Sequence, residues 1–295
     1  MIDDNGVHFL DVTGIQSAND SYGLLDPEFF TILKTLSPVQ IRILNASSHA
    51  IRVSGNVEML HEGDAAYDLY FVRSGKLAII KEVNQQRKAL AHLYPGDIYG
   101  EFGALRKKVR YASVVTTERS EVIRIEQEAV SQILEVNPTF HKALNHVLKR
   151  RILDSFFFSH TALNKLPPEA RIDLSEKLNP TFIQRGHSVF SQGDKSQGPF
   201  LILSGNVDIR YENKEKEETL LEIRRNGDVI GEVAHKAGNR LAYTAIANTD
   251  VDVLLLTKNT MRLLLNYHKP SFLAMEQYIN KRAAVTVSRM KEQLS

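Results

Sequence analysis

The sequence contains no cysteine in its 295 residues. The chain therefore has no disulfide framework, no thiolate metal site and no cysteine nucleophile. This composition fits a reducing compartment, and we expect the protein to be cytoplasmic.

A strong net charge and long apolar runs are also absent. The formal net charge is +2 and 43% of the residues are hydrophobic, which is ordinary for a globular protein. Nothing in the overall charge balance points to nucleic acid. No apolar run approaches the roughly 18 residues of a transmembrane helix. Residues 1–5 are acidic and lack the basic start of a signal peptide. We expect no membrane span and no nucleic-acid partner.

Enzyme motifs are missing as well. No Ser-His-Asp arrangement or pair of carboxylates rises above chance. A metal-binding cupin, which shares the jelly-roll shape considered below, needs closely spaced histidines, and His49, His61 and His92 lack that spacing. We therefore expect no catalytic residues, no metal and no cofactor.

The patterns that are present indicate a mainly β protein with flanking helices. Asp26-Pro27 and Ser37-Pro38 are helix starts. From about Ile51 the apolar residues alternate, and glycine turns separate several short strands, as in a jelly roll. Residues 126–160 return to helical spacing, with a break at Asn137-Pro138.

An internal repeat divides the chain into two similar domains. The motifs recur at offsets of 130 to 132 residues, which is too long for a solenoid unit. The predicted division is a tail over 1–24, a first domain over 25–158 and a second domain over 159–295. The repeated pairs are Gly63-Asp64 with Gly193-Asp194, Ser74-Gly75 with Ser204-Gly205, Gly96-Asp97 with Gly227-Asp228, Gly100-Glu101 with Gly231-Glu232, and Pro138-Thr139-Phe140 with Pro270-Ser271-Phe272.

Residues 96–115 carry the chemistry that the rest of the chain is arranged around. Gly100 and Gly103 allow close approach of the backbone to a ligand. The amides that begin the short helix after Gly103 suit an anion. Arg110 offers a permanent fork-shaped cation that matches phosphate, and Glu101 offers an acceptor for a sugar hydroxyl. Phosphate and ribose held close together describe a cyclic nucleotide.

This stretch resembles the phosphate-binding cassette of the cyclic-nucleotide-binding domain family, whose members include the catabolite activator protein and the regulatory subunits of protein kinase A. The resemblance implies two tandem β jelly-roll domains. It also implies that Glu101 binds the ribose 2′-hydroxyl, and that Arg110 and the amides near Gly103 and Ala104 bind the cyclic phosphate. The ligand-binding residues it implies are Gly100, Glu101, Phe102, Gly103, Ala104, Arg110, Tyr111, Ala112 and Ser113.

Tyr111 bears on the choice of nucleotide. It stands where cAMP sites of the family often have alanine and cGMP sites often have threonine, whose hydroxyl contacts guanine. Tyr111 reaches that position less easily, which favours cAMP over cGMP as the ligand.

The second cassette differs at its arginine. Arg240 follows Glu232 by eight residues, whereas Arg110 follows Glu101 by nine. The flanking strands align without a gap, which places Leu241 at the position of Arg110 and turns Arg240 to the other face. We expect weak binding or none here. If the second site does bind, its residues are Gly231, Glu232, Val233, Ala234, Arg240 and Ala242.

The expected function is that of a cyclic-nucleotide receptor that changes its domain arrangement and signals by contact to an effector protein. The alternative is an interaction scaffold with degenerate pockets. Residues 1–50 lack paired arginines, so kinase inhibition in the style of the regulatory subunits is not expected.

The basic runs at 106–110 and 149–151 are interpreted as solvated surface. Phe156 or Phe157 is a candidate cap for the base. The last helical segment either packs on its own domain or forms a homodimer.

Overall fold

The computed structural model describes residues 7–9, 23–65, 67–83, 86–106, 110–213, 215–235 and 239–292. The chain forms two compact units, Met1–Leu148 and Lys149–Ser295. The division falls inside helix α4 (Pro138–Ser159), ahead of the predicted boundary at residue 158. The reason is that the end of α4 packs into the second unit, where Phe157 lines an apolar cavity with Leu201 and Met275.

The first unit contains two antiparallel sheets. One has the strand order β1-β2-β9-β4-β7 and the other has the order β3-β8-β5-β6. The strands are β1 (Val7–Phe9), β2 (Ser48–Val53), β3 (Glu58–Leu60), β4 (Leu69–Ser74), β5 (Leu77–Val83), β6 (Gln86–Leu93), β7 (Ile98–Tyr99), β8 (Ser113–Thr116) and β9 (Ser120–Ile125).

The second unit repeats this arrangement. Its sheets have the orders β10-β19-β12-β15 and β11-β18-β13-β14, and β16 and β17 form a separate pair. The strands are β10 (Thr181–Ile183), β11 (Ser188–Phe190), β12 (Phe200–Ser204), β13 (Asn206–Glu212), β14 (Glu218–Arg225), β15 (Val229–Ile230), β16 (Ala234–His235), β17 (Arg240–Leu241), β18 (Thr244–Ala247) and β19 (Val251–Leu255).

Helices flank both units. Helix α1 starts with a capping box, in which the Ser37 hydroxyl accepts from the Gln40 amide and the Gln40 side chain accepts from the Ser37 amide. The helices are α1 (Pro38–Ala46), α2 (Glu101–Arg106), α3 (Gln127–Val136), α4 (Pro138–Ser159), α5 (Pro168–Lys177), α6 (Lys258–Tyr267) and α7 (Lys269–Glu292), with a 3₁₀ helix at Thr31–Thr35.

Two local predictions were wrong, and one strand was missed. The segment after Pro27 is a turn and a short 3₁₀ helix, because its apolar residues Phe30, Leu33 and Leu36 reach the core without a longer helix. Val7–Phe9, expected to lie in a loose tail, pairs antiparallel with β2. Strand β6 was not predicted, because its polar sequence lacks an alternating apolar pattern.

Each unit has its own apolar core. In the first unit, one cluster joins the helices to the first sheet around Leu69, Phe71 and Phe140, and another includes Val72, Leu77 and Val122. The second unit has a cluster around Ile202, Ile209 and Val253. These cores hold the strands on either side of each cassette: β7 and β8 in the first unit, and β15 and β18 in the second.

Candidate functional site

The first cassette begins at a glycine that no other residue can replace without strain. Gly100 lies between β7 and α2 with φ of +91°, and an added Cβ would lie 2.4 Å from the Asp68 carbonyl oxygen and 2.9 Å from Nη1 of Arg110. The left-handed backbone and this contact both require glycine. Gly100 therefore lets the Arg110 side chain pass directly beside the backbone.

Arg110 is a buried cation, with 3% of its surface exposed. Its Nη1 and Nη2 atoms each donate to the Asp68 carbonyl oxygen at 3.1 Å, and Nη1 also lies 3.3 Å from the Gly100 carbonyl oxygen. Its Nε has no hydrogen-bond partner among the described residues. Burial lowers the pKa of Arg110, although Tyr70 and Asp68 act in the opposite direction. An arginine remains protonated at neutral pH, so the site presents a charged donor.

The backbone of Arg110 is held by a reciprocal pair of hydrogen bonds. The Gly63 amide donates to the Arg110 carbonyl at 2.9 Å, and the Arg110 amide donates to the Asp64 carbonyl at 2.8 Å. The repeated Gly-Asp turn therefore sets the position from which the guanidinium extends.

Glu101 and small residues lie next to Arg110. Glu101 is the first residue of α2 and is 5% exposed, while Gly103, Ala104 and Ala112 are buried. The Ala104 amide, which was expected to bind phosphate, donates to the Gly100 carbonyl at 3.1 Å and so belongs to the helix. The small side chains leave the carboxylate and the guanidinium as the main polar groups of this cassette.

The first cassette also contains an aromatic pair. The rings of Phe102 and Tyr111 are 5.2 Å apart, and the Lys81 ammonium lies 4.2 Å from the centre of the Tyr111 ring. Lys81 also donates to the Tyr111 carbonyl. The Ser113 hydroxyl accepts from the Glu62 amide at 3.0 Å, so this predicted ligand residue fixes the preceding turn.

Asp68, which the sequence did not single out, connects Arg110 to helix α3. Its carbonyl oxygen accepts from Arg110, while its carboxylate accepts from Arg124 Nε at 2.7 Å and from the Gln127 amide at 3.0 Å. Gln127 is the first residue of α3. One residue thus joins the buried cation to the start of a helix.

The second cassette places leucine where the first has arginine. The Gly193 amide donates to the Leu241 carbonyl at 2.9 Å, and the Leu241 amide donates to the Asp194 carbonyl at 2.8 Å. This is the pair of bonds that holds Arg110. Leu241 is buried, and Arg240 is exposed and donates to the Gly193 carbonyl at 2.7 Å. The alignment without a gap therefore describes the structure.

The carboxylate of the second cassette is enclosed by its own unit. The Glu232 side chain is 0% exposed and pairs with Arg224 at 2.8 Å. The Tyr243 hydroxyl donates to Glu232 at 2.5 Å and accepts from the Gly231 amide at 2.6 Å. Burial, followed by the charge of Glu232, raises the pKa of Tyr243, which therefore stays a hydrogen-bond donor. Tyr243 stands in the place of Ala112, a difference visible in the sequence.

The other predicted residues of the second cassette lie beside Leu241. Ala234 pairs with Leu241 across β16 and β17, and the Ala242 amide donates to the Val233 carbonyl at 3.2 Å. Ala242 is buried. Lys107–Val109 of the basic loop and residues 236–238 lie outside the described residues.

Phe156 and Phe157 do not have the exposure expected of a cap over a base. Both are buried, at 3% and 2%. Phe157 lines a small apolar cavity of the second unit together with Leu163 and Met275. Helix α7 packs on its own unit, since Met290 joins the apolar cluster of the second unit.

Two further features concern the part of the chain that the structure describes. No three or more histidine, aspartate or glutamate side chains in it form a group that could hold a metal ion. None of its helices combines the length and the apolar character needed to cross a bilayer.

Comparison with known proteins adds a family match. The model described as Cyclic nucleotide-binding domain matches residues 52–137 and 180–268, which together are more than half of the chain. The two matches fall in the two units and confirm the predicted tandem arrangement.

The chain is also similar to curated relatives and to a solved structure. A cAMP-dependent protein kinase regulatory subunit of Mycosarcoma maydis is 24% identical over 216 residues, or 69% of this chain and 39% of the relative. A cGMP-dependent protein kinase of Drosophila melanogaster is 23% identical over 246 residues, or 82% of this chain and 21% of the relative. This chain thus spans well under half the length of either. A co-crystal structure of the regulatory domain of Toxoplasma gondii PKA with cAMP has a TM-score of 0.37 and 19% identity, and the match covers 83% of this chain and 91% of that one.

Proposed function

Because the chain belongs to the cyclic nucleotide-binding domain family, we propose that it is a receptor for a cyclic nucleotide, with one working pocket in its first domain. The cyclic phosphate binds Arg110, and the ribose 2′-hydroxyl binds Glu101. The second pocket binds weakly or not at all.

The Nε of buried Arg110, which has no hydrogen-bond partner among the described residues, carries this proposal. Burying a charge is costly unless it is paired and hydrogen-bonded. The hydrogen bonds that Nη1 and Nη2 of Arg110 donate go to neutral carbonyl oxygens, and the carboxylates of Asp68 and Glu101 act on it through their charge. A phosphate oxygen at Nε would supply the missing acceptor and a directly bonded negative charge in one contact. In the second unit, the corresponding side chain is that of Leu241, which offers a phosphate neither a hydrogen-bond donor nor a positive charge.

We propose cAMP as the preferred nucleotide. Tyr111 takes the position at which the family's guanine-selective members have a threonine hydroxyl. Its ring contacts Phe102, and the Lys81 ammonium lies over it, which supports a fixed position for Tyr111 in the first cassette.

The signal passes from the pocket through Asp68. A phosphate that draws Arg110 inward displaces the Asp68 carbonyl, and with it the carboxylate that holds the Gln127 amide. The start of α3 then moves, which alters the arrangement of the two domains and the surface that an effector protein contacts. A ligand shifts such an equilibrium only by its differential affinity for the two arrangements. In this proposal the chain regulates by contact and performs no catalysis.

Calorimetric titration of the whole chain with cAMP, and separately with cGMP, tests the proposal. We expect one site per chain and tighter binding of cAMP. Two sites per chain would show that the second pocket works. No heat with either nucleotide, together with no rise in melting temperature, would leave the interaction scaffold as the better account.

A further inference from the structure

Arginine and leucine have exchanged places between the two domains. Arg224 on β14 lies opposite Val207, and Leu93 on β6 lies opposite Leu77. These two pairs occupy the same place in the repeated sheets, so Arg224 has the register position of Leu93. The second domain therefore retains a buried arginine, but presents it from β14 instead of from the cassette.

Arg224 is enclosed by partners from its own unit. Its side chain is 0% exposed, and it pairs with Glu232 at 2.8 Å and with Glu222 at 2.8 Å. It also donates to the Val229 carbonyl and to the Thr286 hydroxyl. Burial lowers the pKa of Arg224, but Tyr243 and the two glutamates outweigh it, so the pKa is raised. The cation is therefore fully committed within the protein.

Glu232 is enclosed in the same way. Its Oε1 atom accepts from the Thr286 hydroxyl at 2.6 Å, and its Oε2 atom accepts from the Tyr243 hydroxyl at 2.5 Å. A ribose hydroxyl would have to displace Tyr243, Thr286 or Arg224 to reach this carboxylate. In the family's binding mode this is the group that receives the ribose.

The C-terminal helix α7 supplies the outer part of the cluster. Tyr278 donates to Asp228 at 3.1 Å, and Arg282 pairs with the same carboxylate at 3.1 Å. Arg289 pairs with Glu222, which in turn contacts Arg224. These contacts span about three turns of α7 from Tyr278 to Arg289.

We propose that the second domain carries an internal substitute for a nucleotide: Arg224 occupies the ribose-binding carboxylate Glu232, and Thr286 uses the same two groups to latch helix α7 over the pocket without any ligand. We call Arg224, Glu232, Tyr243 and Thr286 the latch cluster. The second domain is then held in one closed arrangement, and only the first domain responds to a nucleotide.

Such a latch is strong because its members are buried and mutually dependent. Removing one partner of a buried charge network leaves the others unsatisfied in a medium of low dielectric constant. Thr286 lies at the centre, since its hydroxyl accepts from Arg224 and donates to Glu232. It is also the member of the cluster that belongs to α7.

Hydrogen exchange of the chain with both domains present tests the latch. Thr286→Val keeps the shape of the side chain and removes the hydroxyl, and Ser288→Ala on the exposed side of the same helix is the control. We expect the amides of residues 282–290 to exchange at least about tenfold faster in Thr286→Val, because a buried acceptor and a buried donor lose their partner. The Ser288→Ala variant should stay within about twofold of the unchanged chain. Exchange in Thr286→Val no faster than in the control overturns the latch.

A second conservative variant guards against an effect peculiar to Thr286. Tyr243→Phe removes the other hydroxyl bound to Glu232 and leaves α7 untouched. Faster exchange in residues 282–290 of this variant supports the latch, since Tyr243 acts on α7 only through the cluster. Exchange unchanged from that of the original chain means that Glu232 does not carry the connection, and overturns it.

A nucleotide titration tests the second part of the inference. In Arg110→Ala, where the first pocket is disabled, we expect neither heat from cAMP nor a change in the exchange of residues 282–290. Binding that survives Arg110→Ala and is lost on adding Glu232→Gln would show that the nucleotide enters the second pocket, and would overturn the proposal. The exchange experiments require no nucleotide, so the latch can fail or succeed independently of the proposed function.

Discussion

Leu241 in the second domain makes the same two backbone hydrogen bonds, to the amide of Gly193 and the carbonyl of Asp194, that Arg110 makes to Gly63 and Asp64 in the first. The two repeats therefore hold the same backbone position and fill it with opposite chemistry. The first domain has a guanidinium at this position and the second has an apolar side chain. We therefore expect the two domains to respond differently to a nucleotide, although they share one fold.

Replacing Arg110 with alanine should abolish most of the affinity for cAMP. The phosphate would be left without its cation in the pocket, at a cost of about 2 to 5 kcal/mol. Isothermal titration of Arg110→Ala measures this directly. Arg240→Ala is the matched control, because Arg240 is exposed and bonds to the Gly193 carbonyl. We expect the control to bind as the original chain does. An affinity loss below tenfold in Arg110→Ala would remove Arg110 from the site.

Gly100→Ala should destabilise the first unit more than Gly63→Ala. Both glycines have positive φ, +91° and +94°, so alanine at either costs roughly 1 to 2 kcal/mol. Only at Gly100 would the new Cβ also lie 2.4 Å from a backbone oxygen, whereas at Gly63 it would meet no described atom within 4 Å. We expect an excess cost of about 2 kcal/mol at Gly100 in urea denaturation. Equal midpoints for the two variants would mean that the backbone at Gly100 yields easily.

Asp68→Ala should separate nucleotide binding from the response of α3. Arg110 bonds to the backbone carbonyl of Asp68, which the substitution keeps, whereas Arg124 and the Gln127 amide bond to the carboxylate, which it removes. We expect the affinity for cAMP to change by less than about threefold, and the amides at the start of α3 to exchange about tenfold faster. Hydrogen exchange with and without cAMP should show that α3 no longer responds. Asp68→Asn keeps an acceptor for the Gln127 amide and should show a smaller effect. A large loss of affinity with an intact response of α3 would reverse the roles assigned to the two parts of Asp68.

The second unit should lose stability as the pH falls below about 6.5 because of His160. Burial lowers the pKa of this imidazole from 6.5, although the Gly227 carbonyl and Asp228 act in the opposite direction. Its Nδ1 accepts from the Ala162 amide at 3.2 Å, which requires that nitrogen to be unprotonated. The unfolded chain therefore binds the proton first. Stability is complete above the unfolded pKa and falls as the pH drops towards the lower folded pKa.

Thermal melts between pH 5 and 8 measure this dependence. His160→Gln removes the titrating group, so its melting temperature should vary less over this range. His187→Gln, at an exposed position of the same unit, is the control and should follow the original chain. If His160→Gln and His187→Gln show the same pH dependence as the original chain, His160 is not its source.

Much of the architecture follows from the sequence, because it depends on local patterns. Alternating apolar residues and glycine turns predict the sandwich strands, Ser37-Pro38 predicts the start of α1, and Asn137-Pro138 predicts the break between α3 and α4. Counting from Glu232 was enough to show that Leu241 has the position in the second cassette that Arg110 has in the first, since strand register depends only on the number of residues.

The identities of the buried partners required the tertiary structure. Asp68 lies 42 residues from Arg110, and Thr286 lies 54 residues from Glu232. No local pattern marks such pairs, because a side chain's neighbour across a sheet or helix is set by packing. The sequence alone identified one intact cassette and one altered cassette. Only the tertiary structure revealed that Arg224, from a different strand, pairs with Glu232 of the altered cassette. The physical reason is that a buried charge requires a partner, and folding decides which opposite charge comes within reach.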